Sequence, residues 1–133
     1  MISRKFAEAF ATEWIEAWNS HDLDRILSHY SEAFELSSPF IVAVAGEPSG
    51  ILKGHAAVRA YWSKALARQP GLHFRLLTVF SGVATAVIHY QRHDGSSAAE
   101  HFEFEAGGKV IRSSANYVTL GFQEGEALDR RRP

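Results

Sequence analysis

Residues 72–122 read LHFRLLTVFSGVATAVIHYQRHDGSSAAEHFEFEAGGKVIRSSANYVTLGF, and the fold turns on this stretch. It holds four runs rich in β-branched and aromatic residues: Leu72 to Ser81, Thr85 to Arg92, Ala98 to Glu105 and Val110 to Phe122. Between them stand Ser81-Gly82, Asp94-Gly95 and Gly107-Gly108, each a pair that favours a tight reversal. Connections this short join antiparallel neighbours, so the stretch predicts a four-strand meander.

Upstream the apolar period changes from two residues to nearly four. Phe6, Phe10, Trp14 and Trp18 recur with Ala7, Ala11 and Ile15 beside them, which predicts a long amphipathic helix from about Ser3 to Asn19. Asp22 is placed to cap a short second helix in which Leu23, Ile26, Leu27 and Tyr30 share a face. Phe34 to Ser38 and Phe40 to Val44 read as two short strands interrupted by Pro39, and Gly46, Pro48 and Gly50 mark a loop after them. A third helix from about His55 to Gln69 buries Val58, Tyr61, Trp62, Ala65 and Leu66 before Pro70-Gly71 stops it. Three helices on one face of a strongly curved, mostly antiparallel sheet make an α+β cone with an internal cavity. It forms one domain over residues 1–122, and residues 123–133 read as a polar, disordered tail.

Composition narrows the function. The chain has 133 residues, 46% hydrophobic and 22% charged, with 14 Lys+Arg against 15 Asp+Glu. No basic stripe stands out, which argues against a nucleic-acid platform. There is no cysteine, hence no disulfide, thiolate metal site or cysteine nucleophile. No apolar run approaches the roughly 20 residues of a membrane span. Met1 to Lys5 lead straight into the first amphipathic pattern with no apolar leader, so the expected location is the cytoplasm. His21, His55, His73 and His93 fall at loops or element ends, and no pair has the helical spacing of a zinc-protease motif, so no metal is expected. Neither a Gly-rich phosphate loop nor a Gly-x-Ser-x-Gly elbow is present, and no cofactor is expected.

Several local signatures carry a resemblance. Trp18-Asn19-Ser20-His21-Asp22-Leu23-Asp24, Tyr30-Ser31-Glu32-Ala33-Phe34, Ser38-Pro39, Lys53-Gly54-His55-Ala56-Ala57-Val58 and Phe102 to Val110 occur in the order of the nuclear transport factor 2-like superfamily. The chain resembles that superfamily, which includes ketosteroid isomerase and the SnoaL-type polyketide cyclases, over about residues 3 to 122. The resemblance implies the cone fold; its members range over isomerases, dehydratases, hydrolases, cyclases and binding modules, so the chemistry rests on the site.

The resemblance also implies which residues face the cavity. In ketosteroid isomerases a carboxylic acid lies four residues before a strand Phe and helps stabilise an oxyanion. Phe104 matches that Phe, which puts Glu100 on the acid's position. Trp14 falls where the isomerase has its oxyanion Tyr, while Tyr30, Trp62 and Tyr117 match cavity aromatics. Ser38 stands where the isomerase has its general base Asp, so that mechanism is not present as such. Phe102 and Ser113 complete the expected lining, with Ser113, Ala115 and Tyr117 alternating inward on the last strand.

Read as a two-residue hairpin, Asp94-Gly95 sets His93 opposite Ser96, Gln91 opposite Ala98, His89 opposite Glu100 and Val87 opposite Phe102. His89 and Glu100 would then be a polar dyad in an aromatic pocket, and Ile88, Tyr90, Ala99, His101 and Glu103 would face outward. A three-residue turn with a bulge shifts this pairing by one. On the two-residue reading the expected function is a cofactor-independent isomerase, dehydratase or cyclase acting on an apolar cyclic or carbonyl compound, with Glu100 and His89 as acid and base. The alternatives are a binding protein for an apolar ligand and a dimeric interaction module. A homodimer through the outer sheet face is expected, carried by Ile88, Tyr90, Leu77 and Val79 and implied by the resemblance.

Overall fold

The computed structural model describes residues 1–119. Helix α1 (Arg4–Ser20) is followed by α2 (Leu23–Leu27), β1 (Tyr30–Ser37), α3 (Pro39–Ala45), β2 (Ile51–Lys53) and α4 (His55–Arg68). Four strands complete the order: β3 (Arg75–Ser81), β4 (Thr85–Gln91), β5 (Ser97–Phe104) and β6 (Val110–Tyr117). They form one curved, unclosed sheet in the order β2-β1-β6-β5-β4-β3, antiparallel except between β1 and β6. The proposed tail, residues 123–133, and the last residues foreseen for the final strand lie outside the described residues.

Local chemistry accounts for the helix ends. The Ser3 hydroxyl accepts from the Phe6 N–H at 3.0 Å and starts α1, and His21 closes it in the left-handed region at φ 61°. Asp22 accepts from the Asp24 and Arg25 N–H groups at the head of α2. The Asn19 side chain then ties the end of α1 to β3, donating to the Phe74 carbonyl at 2.9 Å and accepting from the Phe74 N–H at 2.7 Å. Helices pack on the concave face: Phe10 and Trp14 of α1 meet Phe102 and Tyr90, and Trp62 of α4 meets Tyr30. Trp14, Phe34 and Phe102 are all but fully buried, and burying such a side chain contributes roughly 1.5–3 kcal/mol.

Two expectations are overturned. Phe40 to Val44 form a helix, not a strand, so the described residues hold four helices. Ser38 accepts from the Phe40 N–H and Pro39 occupies the first helical turn, where its missing N–H costs nothing; that capping outweighs the β-branched run. The stretch taken as loop after it also contributes the short edge strand β2.

The second correction concerns register. The Arg92 N–H bonds the Ser96 carbonyl at 2.8 Å and the Gly95 N–H bonds the Arg92 carbonyl at 2.9 Å. His93, Asp94 and Gly95 therefore form a three-residue turn, with Gly95 at φ 88° supplying the left-handed position. Pairing shifts by one: Ile88 faces Glu100, His89 faces Ala99 and Val87 faces His101. Ile88 and Tyr90 consequently point inward and are buried, while His89 moves to the outer face. Val79, paired with Ile88, also leaves the outer face and packs on the core.

Candidate functional site

A pocket of roughly 200 Å³ opens between α1, α3, α4 and the inner face of β4 to β6. Its walls follow from the alternation of the strands and the helical period. Tyr90 and Arg92, Glu100, and Ala115 and Tyr117 come inward from successive strands, and Trp14 and Trp18 come from consecutive turns of α1. Tyr61 and Trp62 of α4 close one side, and Ser38 with Phe40 at the start of α3 closes another.

Among the described residues Glu100 is the only carboxylic acid in this lining, and it is 4% exposed. Its Oε2 accepts a hydrogen bond from the Ser113 hydroxyl at 2.9 Å. Burial pushes the carboxyl up to about 7, against the opposing pull of the Ser113 hydroxyl. Two buried hydrogen bonds stand behind the pocket wall: the Trp14 indole N–H donates to the Tyr30 hydroxyl at 2.9 Å, and the Ser113 hydroxyl donates to Glu100. An indole can only donate, so Tyr30 is the acceptor in the first.

The phenols around Glu100 stay protonated. Burial raises the pKa of Tyr61, Tyr90 and Tyr117, and the negative charge of Glu100 adds to the rise in each. The Ser38 side chain reaches the phenols of Tyr61 and Tyr117 and moderates that shift. The pocket thus sets one carboxyl able to gain and lose a proton near neutrality among phenol donors that keep theirs. Trp18 adds a further donor group: its buried indole N–H has no hydrogen-bond partner among the described residues.

Of the residues singled out from sequence, Trp14, Ser38, Trp62, Glu100 and Tyr117 line the pocket together. Tyr30 and Ser113 stand behind it, bonded to Trp14 and to Glu100 respectively, and Phe102 is packed against Phe10 and Trp14 without reaching the lining. His89 is the correction: it lies on the outer face in a shallow groove with Ala99 and Asn116, so no His89–Glu100 dyad exists. The extra residue in the turn is the reason.

Sequence reasoning missed Tyr90, assigned to the wrong face, and Arg92, two residues further along the same inward alternation. It also counted Tyr61 as core alone. The signal for Tyr90 and Arg92 was the left-handed Gly95, which suits a three-residue turn as well as a two-residue one. Among the described residues no three His, Asp or Glu side chains converge as a metal-ligand set. No helix among them is long and apolar enough to cross a membrane.

Comparison with known proteins is consistent with this architecture. A SnoaL-like protein of unknown function from Burkholderia thailandensis is 49% identical, with a TM-score of 0.84 over 88% of this chain and 98% of that one. A protein of cystatin-like fold from Methylobium petroleophilum is 20% identical, with a TM-score of 0.69 over 95% of this chain and 84% of that one. A SnoaL-like protein from Agrobacterium tumefaciens, itself proposed to be an isomerase, is 15% identical, with a TM-score of 0.69 over 86% of this chain and 98% of that one. The last two likenesses concern the fold alone. No curated protein matches the sequence. The SnoaL-like domain family matches residues 11–114, so the chain belongs to the SnoaL-like family.

Proposed function

We propose that the pocket binds a small carbonyl-bearing apolar compound and that Glu100 moves a proton on it without a cofactor, as an isomerase, dehydratase or cyclase does. The observation that carries this reading is the buried Glu100 carboxyl, held near neutral proton affinity at the aromatic wall. As carboxylate, Glu100 accepts a proton from a carbon next to the carbonyl. The protonated phenols of Tyr61, Tyr90 and Tyr117 offer donors to the oxyanion that develops. Glu100, now a carboxylic acid, returns its proton to another carbon of the same molecule, so the protein ends as it began. One carboxyl does both halves, which suits a site with Ser38 in place of a second acid and His89 facing away. The isomerase role proposed for the Agrobacterium protein points the same way.

The competing reading is a binding protein in which Glu100 only hydrogen-bonds its ligand; the bond from Ser113 to Glu100 favours it as far as it goes. Incubating the protein with cyclohexenones in heavy water separates the two. Proton transfer puts deuterium into the ligand at a rate that Glu100→Gln abolishes; a binder quenches tryptophan fluorescence and exchanges nothing.

A homodimer through the outer sheet face is also proposed, on corrected residues. Leu77, 38% exposed, stays among its apolar contacts, and Phe80, 57% exposed, takes the place of Ile88, Tyr90 and Val79. Sedimentation decides: a mass near 14.8 kDa removes the dimer, and Phe80→Glu is expected to shift a dimer toward monomer.

A further inference from the structure

The polar groups of the pocket are sorted by depth. Glu100 and Ser38 are buried, whereas Gln69 and Arg92 are half-buried and Arg68 is exposed, so the positive charge gathers at the mouth. Arg92 is the unusual member. Its side chain is only 14% exposed, and its guanidinium lies over the rings of Phe40 and Tyr117, 5.3 and 5.2 Å from their centroids. Those two rings stack on each other at 4.3 Å, so the cation is held by α3 and β6 together.

The ring contacts use none of the guanidinium N–H donors as hydrogen bonds. Among the described residues the nearest carboxylate oxygen is Oδ2 of Asp94, 3.6 Å from Nη1, beyond a good hydrogen bond. The other oxygen of Asp94 is engaged in the turn, accepting from the Ser96 N–H at 2.9 Å and from the Ser96 hydroxyl at 2.6 Å. Arg92 lines the pocket, and a guanidinium carries the paired N–H donors that take a carboxylate through two parallel hydrogen bonds.

Volume sets the rest of the ligand. A cavity of about 150 Å³ lined by apolar side chains accepts benzene. At roughly 200 Å³ this pocket takes one ring with one or two small substituents, and a fused polycycle would have to project from the mouth. A ligand carboxylate is repelled by an ionised Glu100 and drawn to Arg92 and Arg68, so both charges turn it the same way round.

We propose that the pocket selects a single-ring apolar carboxylate, its carboxylate gripped by Arg92 at the mouth and its other end presented to Glu100. This rests on the reading of the pocket as a ligand site and adds the class of ligand. The reaction proposed above then occurs at the end of the ring remote from the acid group.

Benzoate, phenylacetate and cyclohexanecarboxylate, each against its neutral amide, test it by calorimetry and tryptophan quenching. The carboxylates are expected to bind more tightly than the amides by about tenfold or more, the worth of one charge-assisted pair. Arg92→Gln is expected to erase that preference while leaving amide binding in place, and Arg92→Lys to restore it in part. Because Arg92 also pins Phe40 on Tyr117, circular dichroism of both variants confirms that they are folded before affinities are compared. Amides binding as well as acids, a preference that survives Arg92→Gln, or no carboxylate bound at millimolar concentration overturns the proposal. Heavy-water exchange on neutral enones that depends on Glu100, with no preference for acids, overturns this inference and leaves the proton-transfer reading standing. Acids bound through Arg92 with no Glu100-dependent exchange do the reverse.

Discussion

Glu13 and Glu100 carry the same carboxyl group into opposite surroundings. Glu13 sits on α1 at the surface, where Arg25 bonds both its oxygens at 2.8 and 2.9 Å and His29 approaches at 3.2 Å. The Arg25 hydrogen bonds, helped by His29, hold it down at about 2. Glu100 accepts a hydrogen bond from the Ser113 hydroxyl and has no cation bonded to it among the described residues, and burial lifts it to about 7. The first is a fixed charge throughout the neutral range and can only steady the surface. The second changes charge where a cell works, which is what proton transfer asks of a side chain. The contrast is the reason Glu100, and not Glu13, is the carboxyl proposed to move a proton.

The largest expected effect is on chemistry. Glu100→Gln keeps the shape and most of the hydrogen bonding but cannot accept a proton, and it should slow ligand deuterium exchange by about a hundredfold or more. The matching change at Glu13 should leave exchange as it was. Introducing new carboxyls sharpens the comparison further. Tyr90→Glu removes an inward ring and sets a second acid near Glu100, for an expected loss of about 3–5 kcal/mol in urea unfolding. Phe80→Glu, on the outer face of the neighbouring strand, should change monomer stability by less than about 0.5 kcal/mol.

Stability against pH should show both carboxyls with opposite signs. Glu100 holds its proton more tightly folded than unfolded, so its contribution is full below pH 4.5 and is lost as the pH rises through about 7. The loss amounts to about 3 kcal/mol by pH 8, and Glu100→Gln should flatten it. Glu13 holds its proton less tightly folded, so its contribution is present above pH 4.5 and is lost as the pH falls toward about 2. With 37% of that side chain exposed, screening keeps the effect below about 1 kcal/mol, and Glu13→Gln should remove it. Unfolding midpoints between pH 3 and 8 for the two variants would expose a reversed order.

Much of the fold was legible because it is written in periodicity. The four-residue recurrence of Phe6, Phe10, Trp14 and Trp18 and the β-rich runs after Leu72 reappear as α1 and β3 to β6. What was not legible turned on single residues with two acceptable geometries. Ser38-Pro39 reads as a strand break, whereas Ser38 caps a helix by accepting from the Phe40 N–H and Pro39 sits in its first turn. His93-Asp94-Gly95 reads as a two- or three-residue turn, and the choice exchanges every side chain on β4 between faces. That one residue separates Tyr90 in the pocket from Tyr90 on the surface, and it removed His89 from the site. Glu100 was found through its match to a family position, and Arg92 was missed because no motif marks a residue beside a turn. The smallest expected effect follows: His89→Ala should alter neither ligand exchange nor the behaviour of Glu100, and a change in either would restore the dyad.

Carbon-13 labelling of the glutamate side-chain carboxyls, with Glu100 assigned by the signal lost in Glu100→Gln, tests the central claim most directly. The chemical shift of that carboxyl, followed from pH 3 to 9 in the free protein, is expected to titrate with a midpoint near 7, while the Glu13 signal stays ionised down to about pH 3. A Glu100 midpoint below about 5, inside the ordinary carboxylate range, would contradict the account.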